Sequence, residues 1–538
     1  MTEPISVEIV RTPNREQVAT VVSDLLRESV PSRLSAGDPT LWGPDAESEA
    51  AIRLSWTTLH ETSRPLVARI AALRAELLDA GVDRVVLAGM GGSSLAPEVI
   101  TGTAGVPLVV LDTTDPGQVA DALAGDLDRT VLVVSSKSGG TVETDSHRRI
   151  FEKAFADAGI DARSRIVVVT DPGSPLAAQA EEAGYRAVFP ADPNVGGRYS
   201  ALTAFGLVPS GLAGADIGRL LDEAAAVAPL VAADSPDNPA VVLAAQFVVA
   251  HAHGAEKIVF ADTGSGIKGF GDWVEQLIAE STGKHGTGLL PVVVEGPGAP
   301  GFVDARSDAT TVAIGPATGS SSIAVEGPLG AQFLVWEYAT ALAGRGLGIN
   351  PFDQPDVEAA KKAARSLLDA PASTPAAPAF VDGPIEAYPS EGWLPGDVKT
   401  VAEALKALVA AAPDHGYLSV QAYLDRIDDA SFALVRPELA RRAHLQTTFG
   451  WGPRFLHSTG QYHKGGHRNG VFLQLTGASE STVDVPDRPY DLGTLQLAQA
   501  LGDGQVLAGH GRPVLRLHLT DRVAGLAQLV EAIQEDGS

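Results

Sequence analysis

From about residue 65 the chain alternates between two hydrophobic rhythms. "RPLVARIAALRAELLDAG" (64–81) places apolar residues at the three- and four-residue steps of a helix. It leads into "DRVVLAGM", and then into "PLVVLD", "TVLVVSS" and "RIVVVTD", each followed by a polar, helix-like stretch. These short β-branched runs lack an alternating polar face. They predict strands of a parallel sheet buried on both sides, with crossover helices between them. A second, weaker cycle contains "EKIVFAD", "TTVAIG" and "SSIAVEG". The Pro- and Ala-rich stretch "DAPASTPAAPAFVDGP" (369–384) reads as a linker. Beyond it, helical "VKTVAEALKALVAAA" accompanies strand-like "GVFLQLT" and "VLRLHLT". The pattern predicts an N-terminal arm over 1–45, two α/β domains over 46–210 and 211–369, a linker over 370–390 and a C-terminal segment over 391–538.

Composition narrows the chemistry. A chain of 538 residues exceeds what one hydrophobic core holds, so several domains are expected. Its apolar runs are strand-length, so no membrane span is expected. The start, "MTEPISVEIVRTPNREQ", has no apolar signal-peptide core, and a cytoplasmic location is expected. The absence of cysteine excludes disulfides, thiol nucleophiles and thiolate metal sites. Forty Lys and Arg against 66 Asp and Glu leave a net charge of −26. That field repels phosphate backbones, which argues against nucleic acid as a partner. A small anionic substrate could bind only where a pocket concentrates amide donors and positive charge.

Two loops offer such a pocket. In "LAGMGGSSLAPEV", Gly89, Gly91 and Gly92 lie between a predicted strand and a helix, where backbone amides hold phosphate. Asp112, at the end of the next strand, has the spacing of a ribose-binding acid. However, Ser94 occupies the third glycine position of the dinucleotide fingerprint, and serines suit a free phosphate better. The second loop, "VLVVSSKSGGTVET", gathers Ser136, Lys137, Ser138 and Thr141 around Gly139 and Gly140. Either loop alone could be a serine-rich helix cap with nothing bound. Two at the ends of consecutive strands point to a ligand.

"GMGGSSLAP", "SSKSGGTVET", "VGGRYSALTAFG", "ESTGKHGTG" and "NPFDQPDVEAAKK" occur in the order of the landmarks of glucose-6-phosphate isomerases, and the chain resembles that family over about residues 65–369. The resemblance implies an α/β fold: two SIS-type doubly wound parallel-sheet (αβα sandwich) domains plus a C-terminal α+β segment. It implies interconversion of glucose 6-phosphate and fructose 6-phosphate, with no cofactor and no metal, and commonly a homodimer. Carried over by position, it implies substrate binding by Gly92, Ser93, Ser136, Lys137, Ser138, Thr141, Gly197 and Gln354. It implies catalysis by Glu280 as base, Arg198 beside the reacting carbons, Lys361 beside the sugar ring, and a ring-opening histidine. Gly140 stands where a threonine is common, and Asp356 replaces a usual glycine. Within the same fold, a mannose or amino-sugar phosphate isomerase and a non-catalytic sugar-phosphate sensor are the alternatives. Taken singly, Glu280 could be a last-turn surface acid, Arg198 an ion-pair partner, and Lys361, next to Lys362, part of a solvated face.

The stretch "FLHSTGQYHKGGHRNGVF" (455–472) brings His457, His463 and His467 close in sequence. Metal binding would need a further ligand, yet no carboxylate is nearby and three glycines intervene. In bacterial family members an "LHS-x-GQ" element lies between the glutamate and lysine landmarks. Here it occurs as "LHSTGQ" after the lysine landmark, as in the isomerase half of fused transaldolase–isomerase proteins, although the residues ahead of 45 are too few for a transaldolase barrel. The resemblance then implies that His457 opens the ring. His463 and His467 are expected to be loop residues, and Lys464 to add positive charge. The family histidine commonly crosses to the neighbouring subunit, and the displaced element leaves open whether His457 does so.

Overall fold

Three β-sheets share one strand order in the computed structural model, which describes residues 4–369, 377–479 and 481–535. In the first, Arg84–Gly89, Val109–Leu111, Thr130–Ser135, Ile166–Thr170 and Ala187–Pro190 run parallel in the spatial order second, first, third, fourth, fifth. Every residue of Thr130–Ser135 and Ile166–Thr170 is buried, as a sheet covered by helices on both faces requires.

The second sheet repeats the pattern. Lys257–Asp262, Leu290–Val293, Ala309–Ile314 and Ile323–Glu326 are parallel, in the order second, first, third, fourth. The fifth place is taken by Ser6–Ile9, which pairs antiparallel with Ile323–Glu326. The segment expected as an N-terminal arm is therefore joined to the second sheet. Val7 and Ile9 pack on its core, a two-residue apolar signal too short to read in advance. The cores of the first two sheets merge, with Leu87, Val133 and Val167 in the same buried cluster as Ile258, Phe260 and Trp336.

The C-terminal segment holds a third sheet of the same kind. Tyr417–Tyr423, Gln446–Trp451, Gly470–Gly477 and Val514–Leu519 are parallel, again in the order second, first, third, fourth. A hairpin, Phe380–Asp382 with Ile385–Pro389, adds an antiparallel edge beside Val514–Leu519. Residues 380–389 of the expected linker are thus sheet, and 370–376 lie outside the described residues. This region has its own core around Val420, Leu473 and Leu517. Among the described residues no helix is long and apolar enough to cross a membrane.

In a sheet of this order, ligands bind beyond the carboxyl ends of the first and third strands, where the winding reverses. In the first sheet those ends are Gly89 and Ser135, the starts of the two candidate loops. The third sheet docks against this rim through buried charge. Arg454 donates to Asp112 Oδ2 at 2.7 Å and to Asp272 Oδ2 at 3.0 Å, and pairs with Glu98 at 2.5 Å. Arg522 pairs with Asp115 at 2.9 Å, and Arg426 with Glu98 at 2.9 Å.

Replacing Arg454 by Met, of similar bulk but without charge, leaves the buried Asp112 carboxylate short of its main partner. The expected loss is about 3–5 kcal/mol of stability, seen as a lower denaturant midpoint. An unchanged midpoint would show that the sheets dock without this contact.

Candidate active site

The first loop is positioned by glycine. A Cβ on Gly92 would collide with the carbonyl of Gly197, so only glycine lets the turn Gly91–Ser93 lie against Gly197–Tyr199. Two of the sequence landmarks meet there. The second loop is shaped by its own hydroxyls. Ser136 Oγ accepts from the Gly139 amide at 3.1 Å and lies 3.3 Å from Thr141 Oγ1, and Ser138 Oγ accepts from the Gly140 amide at 3.2 Å. Thr141 then caps the helix Val142–Asp157 without occupying its amides by a side-chain bond.

Lys137 departs from expectation. Its ammonium pairs with Asp171 at 2.9 Å and donates to the carbonyls of Val195 at 2.9 Å and Pro193 at 3.2 Å. It braces the loop against the neighbouring strand end and is not one of the groups lining the cavity beside it. That cavity, of about 270 Å³, is walled by Ser138, Gly140, Thr141 and Glu143 on one side. Lys361, His457, Lys464 and Gln499 face them. Ser136, Gly92, Ser93 and Gly197 do not line it, and neither do Glu280, Arg198 and Gln354. Lys464 brings less free charge than expected, because its ammonium is buried against Asp503 at 2.5 Å. Lys361 is part-exposed and rests on Glu358 at 2.9 Å.

Glu280 lies near the end of the helix Phe270–Thr282 and is 6% exposed, which removes the reading of a surface acid. Arg198, also buried, approaches its Oε2 to 3.5 Å. The guanidinium is fixed by Ser281 Oγ at 3.0 Å, Gln354 Oε1 at 2.6 Å and the carbonyls of Pro351 and Asp353 at 2.9 and 2.8 Å. Burial raises the Glu280 carboxyl above the ordinary range, against the charges of Arg198, His457 and Lys361. Gln276 joins the two sides of the site: its Nε2 donates to the His457 carbonyl at 2.7 Å and lies 3.5 Å from Glu280 Oε2. Lys284, buried under Asp353 and the Asn350 carbonyl, is pulled down to about 8 by burial and by Arg198.

His457 meets a partner that the sequence reading did not single out. Its Nε2 lies 3.1 Å from Glu143 Oε1. Burial would raise Glu143, but the charge and hydrogen bond of His457 outweigh it and hold the carboxyl at about 2. Gln499 Nε2 donates to the same oxygen at 2.7 Å, and Thr114 Oγ1 donates to Gln499 Oε1 at 2.8 Å. Glu143 follows Thr141 by two residues, and an acid in a first helical turn looks like ordinary dipole compensation. The Thr-x-Glu spacing beside the serine loop was the only available signal.

The other two histidines face elsewhere. His463 is buried on the short helix Gly460–Gly465, not in a loop, with Nδ1 2.9 Å from the Tyr417 hydroxyl and Nε2 3.3 Å from Ser419 Oγ. His467 lies 3.1 Å from Glu256 Oε2 and 3.3 Å from His251 Nε2. Among the described residues no group of three or more His, Cys, Asp or Glu side chains is placed to hold a metal ion. Asp356, the departure noted beside Gln354, makes a two-point contact with the histidine element. Its amide donates to Gln461 Oε1 at 3.0 Å, and Gln461 Nε2 donates back to Asp356 Oδ2 at 2.6 Å.

The family model described as phosphoglucose isomerase matches residues 75–290. A glucose-6-phosphate isomerase of Cyanothece sp. is 36% identical over 216 residues, 37% of this chain and 40% of that protein. A Haloarcula marismortui protein described as "Probable glucose-6-phosphate isomerase" is 29% identical over 375 residues, 59% of this chain and 84% of that protein. The chain thus spans two fifths of the first relative and most of the second. Among solved structures, a hypothetical protein from Thermus thermophilus superposes with a TM-score of 0.56 at 26% identity, covering 68% of this chain and 100% of that one. A glucose-6-phosphate isomerase from Chlamydia trachomatis gives 0.55 at 19% identity over 68% and 89% of the two chains, a likeness of fold.

Glu275 allows a test of the site's electrostatics. It shares the helix of Glu280, accepts from Ser458 Oγ at 3.2 Å, and is pushed up to about 8 by burial and by Asp272. The folded protein therefore holds a proton that the unfolded chain, with an ordinary value of 4.5, releases. This contribution to stability is full below 4.5 and is lost as pH rises through about 8. The E275Q variant should lose less stability than the wild type across that window. Denaturant midpoints at about pH 5 and about pH 9 would measure the difference, and equal slopes would contradict the burial argument.

Proposed function

We propose that this chain, a member of the phosphoglucose isomerase family through residues 75–290, interconverts glucose 6-phosphate and fructose 6-phosphate. One observation carries the reading. A histidine–carboxylate pair, His457 with Glu143, lines a cavity edged by the serine loop and is joined through Gln276 to the buried carboxyl Glu280 behind that lining.

The reaction needs an anchored phosphate, an opened ring and one proton moved between adjacent carbons. The hydroxyls of Ser138 and Thr141, faced by Lys361 and Arg365 across the cavity, supply the anchor in a chain whose overall charge repels anions. Lys137 and Ser136 keep that loop in shape. With Nε2 facing Glu143, His457 presents its other ring nitrogen to the sugar, where it gives a proton to the ring oxygen as the bond to carbon 1 breaks. The anomeric hydroxyl passes its own proton to water, with Lys361 beside the oxygen that becomes the carbonyl. Glu280 then takes the proton from one carbon and returns it to the other through a cis-enediol. Burial suits it to this work, because a carboxyl raised above its usual range holds the proton between the two transfers. Arg198, held by four groups, places a fixed positive charge where the enediolate develops. A sugar-phosphate sensor would use the anchor but would have no use for the buried Glu280–Arg198 pair.

An assay coupling fructose 6-phosphate to glucose 6-phosphate formation tests the reading. The E280Q variant should fold normally and lose about 10²–10⁴-fold in kcat, the usual contribution of a positioned base. Turnover at the wild-type rate would remove the assignment. Thr141→Val, which deletes one donor to the phosphate, should raise KM about tenfold, the effect of one charge-assisted hydrogen bond, and change kcat little. An unchanged KM would move the phosphate away from this loop.

A further inference from the structure

We infer that each active site is completed within one polypeptide: the C-terminal region delivers His457 to the site of its own chain, not to a neighbour's. The inference rests on the functional reading above and specifies where that site's histidine comes from.

The segment 454–461 is fixed at both ends and in the middle by the chain that carries it. At its start, Arg454 is buried among Glu98 and Asp112 of the first sheet's rim and Asp272 of the Glu280 helix. In its middle, the His457 ring reaches Glu143 and its carbonyl accepts from Gln276. At its end, Gln461 donates to the Gly283 carbonyl at 2.9 Å, just past the Glu280 helix, and exchanges two hydrogen bonds with Asp356. The packing is as close as the bonding. A Cβ on Gly283 would lie 2.5 Å from the Tyr462 backbone, and one on Gly502 would lie 2.7 Å from the Ala364 amide, on the helix that carries Lys361. Short of exchanging whole C-terminal regions, a neighbour's histidine could enter only by expelling this segment and stripping the buried Asp112 carboxylate of its guanidinium, which costs several kcal/mol. Asp356 belongs to the same arrangement, because its carboxylate accepts from Gln461 at the end of the segment.

Mixing two inactive chains tests this. Glu280→Gln and His457→Ala chains with different affinity tags are co-expressed, and species carrying both tags are isolated in sequence. If the histidine acts in its own chain, either no doubly tagged species forms and the wild type is active as a monomer, or the doubly tagged species is as inactive as its parents. If the histidine crosses, or whole C-terminal regions are exchanged, one site of each mixed dimer regains both groups. The doubly tagged species would then turn over at about half the wild-type rate, which would overturn the inference. Full activity of either variant alone would instead overturn the functional reading, and this inference with it, without any mixing.

Discussion

A single buried guanidinium joins the rim of the first sheet to the Glu280 helix and to the segment that carries His457. Arg454 stands between Asp112, at the end of a strand of the first sheet, Asp272, at the start of the Glu280 helix, and Glu98. Burial by itself disfavours a charged guanidinium, but three carboxylates around it hold the proton firmly. Their attraction offsets the loss of hydration only in this one geometry, so the contact specifies a position more than it adds net stability. Three residues further on lies His457. The register of the ion cluster is thus the register of the imidazole.

The rest follows from repetition. Three sheets share the same parallel order, and each exposes loops where its winding reverses. The first sheet contributes the serine loop and Glu143, the second the Glu280 helix, and the third the segment with His457 and the helix Leu492–Gly509 with Gln499. In a protein of net charge −26, a phosphate can approach only where these rims concentrate donors. Three of the cationic side chains nearby are committed: Lys137 to Asp171, Lys464 to Asp503, Lys284 to Asp353. The hydroxyls of Ser138 and Thr141 line the cavity together with Lys361 and Arg365 of the facing helix.

How far the sequence revealed this depends on what each residue type leaves visible. The first sheet was legible because "TVLVVSS" and "RIVVVTD" are unbroken β-branched runs. The strand "YLSVQAY" (417–423) was not, although all seven residues are buried. Ser419 and Gln421 interrupt its apolar run; inside, the Ser419 hydroxyl meets His463 and the Gln421 oxygen accepts from Gln474. Glu280, Arg198 and Gln354 could be picked out only by their landmarks, since a buried acid and an exposed one are written with the same letter. Glu143, Arg454 and Gln499 escaped because their roles arise from partners hundreds of residues away. Lys137 shows the converse: a lysine among serines looks free until Asp171 is placed beside it.

The account makes the serine loop, Glu280 and His457 parts of one site spanned by one hexose phosphate. The most direct measurement is a crystal structure with fructose 6-phosphate or a stable acyclic analogue bound. The phosphate is predicted to lie against the hydroxyls of Ser138 and Thr141, with carbons 1 and 2 beside the Glu280 carboxyl and His457 of the same chain at the ring oxygen. A phosphate seated elsewhere, or a sugar whose reacting carbons lie out of reach of Glu280, would contradict it.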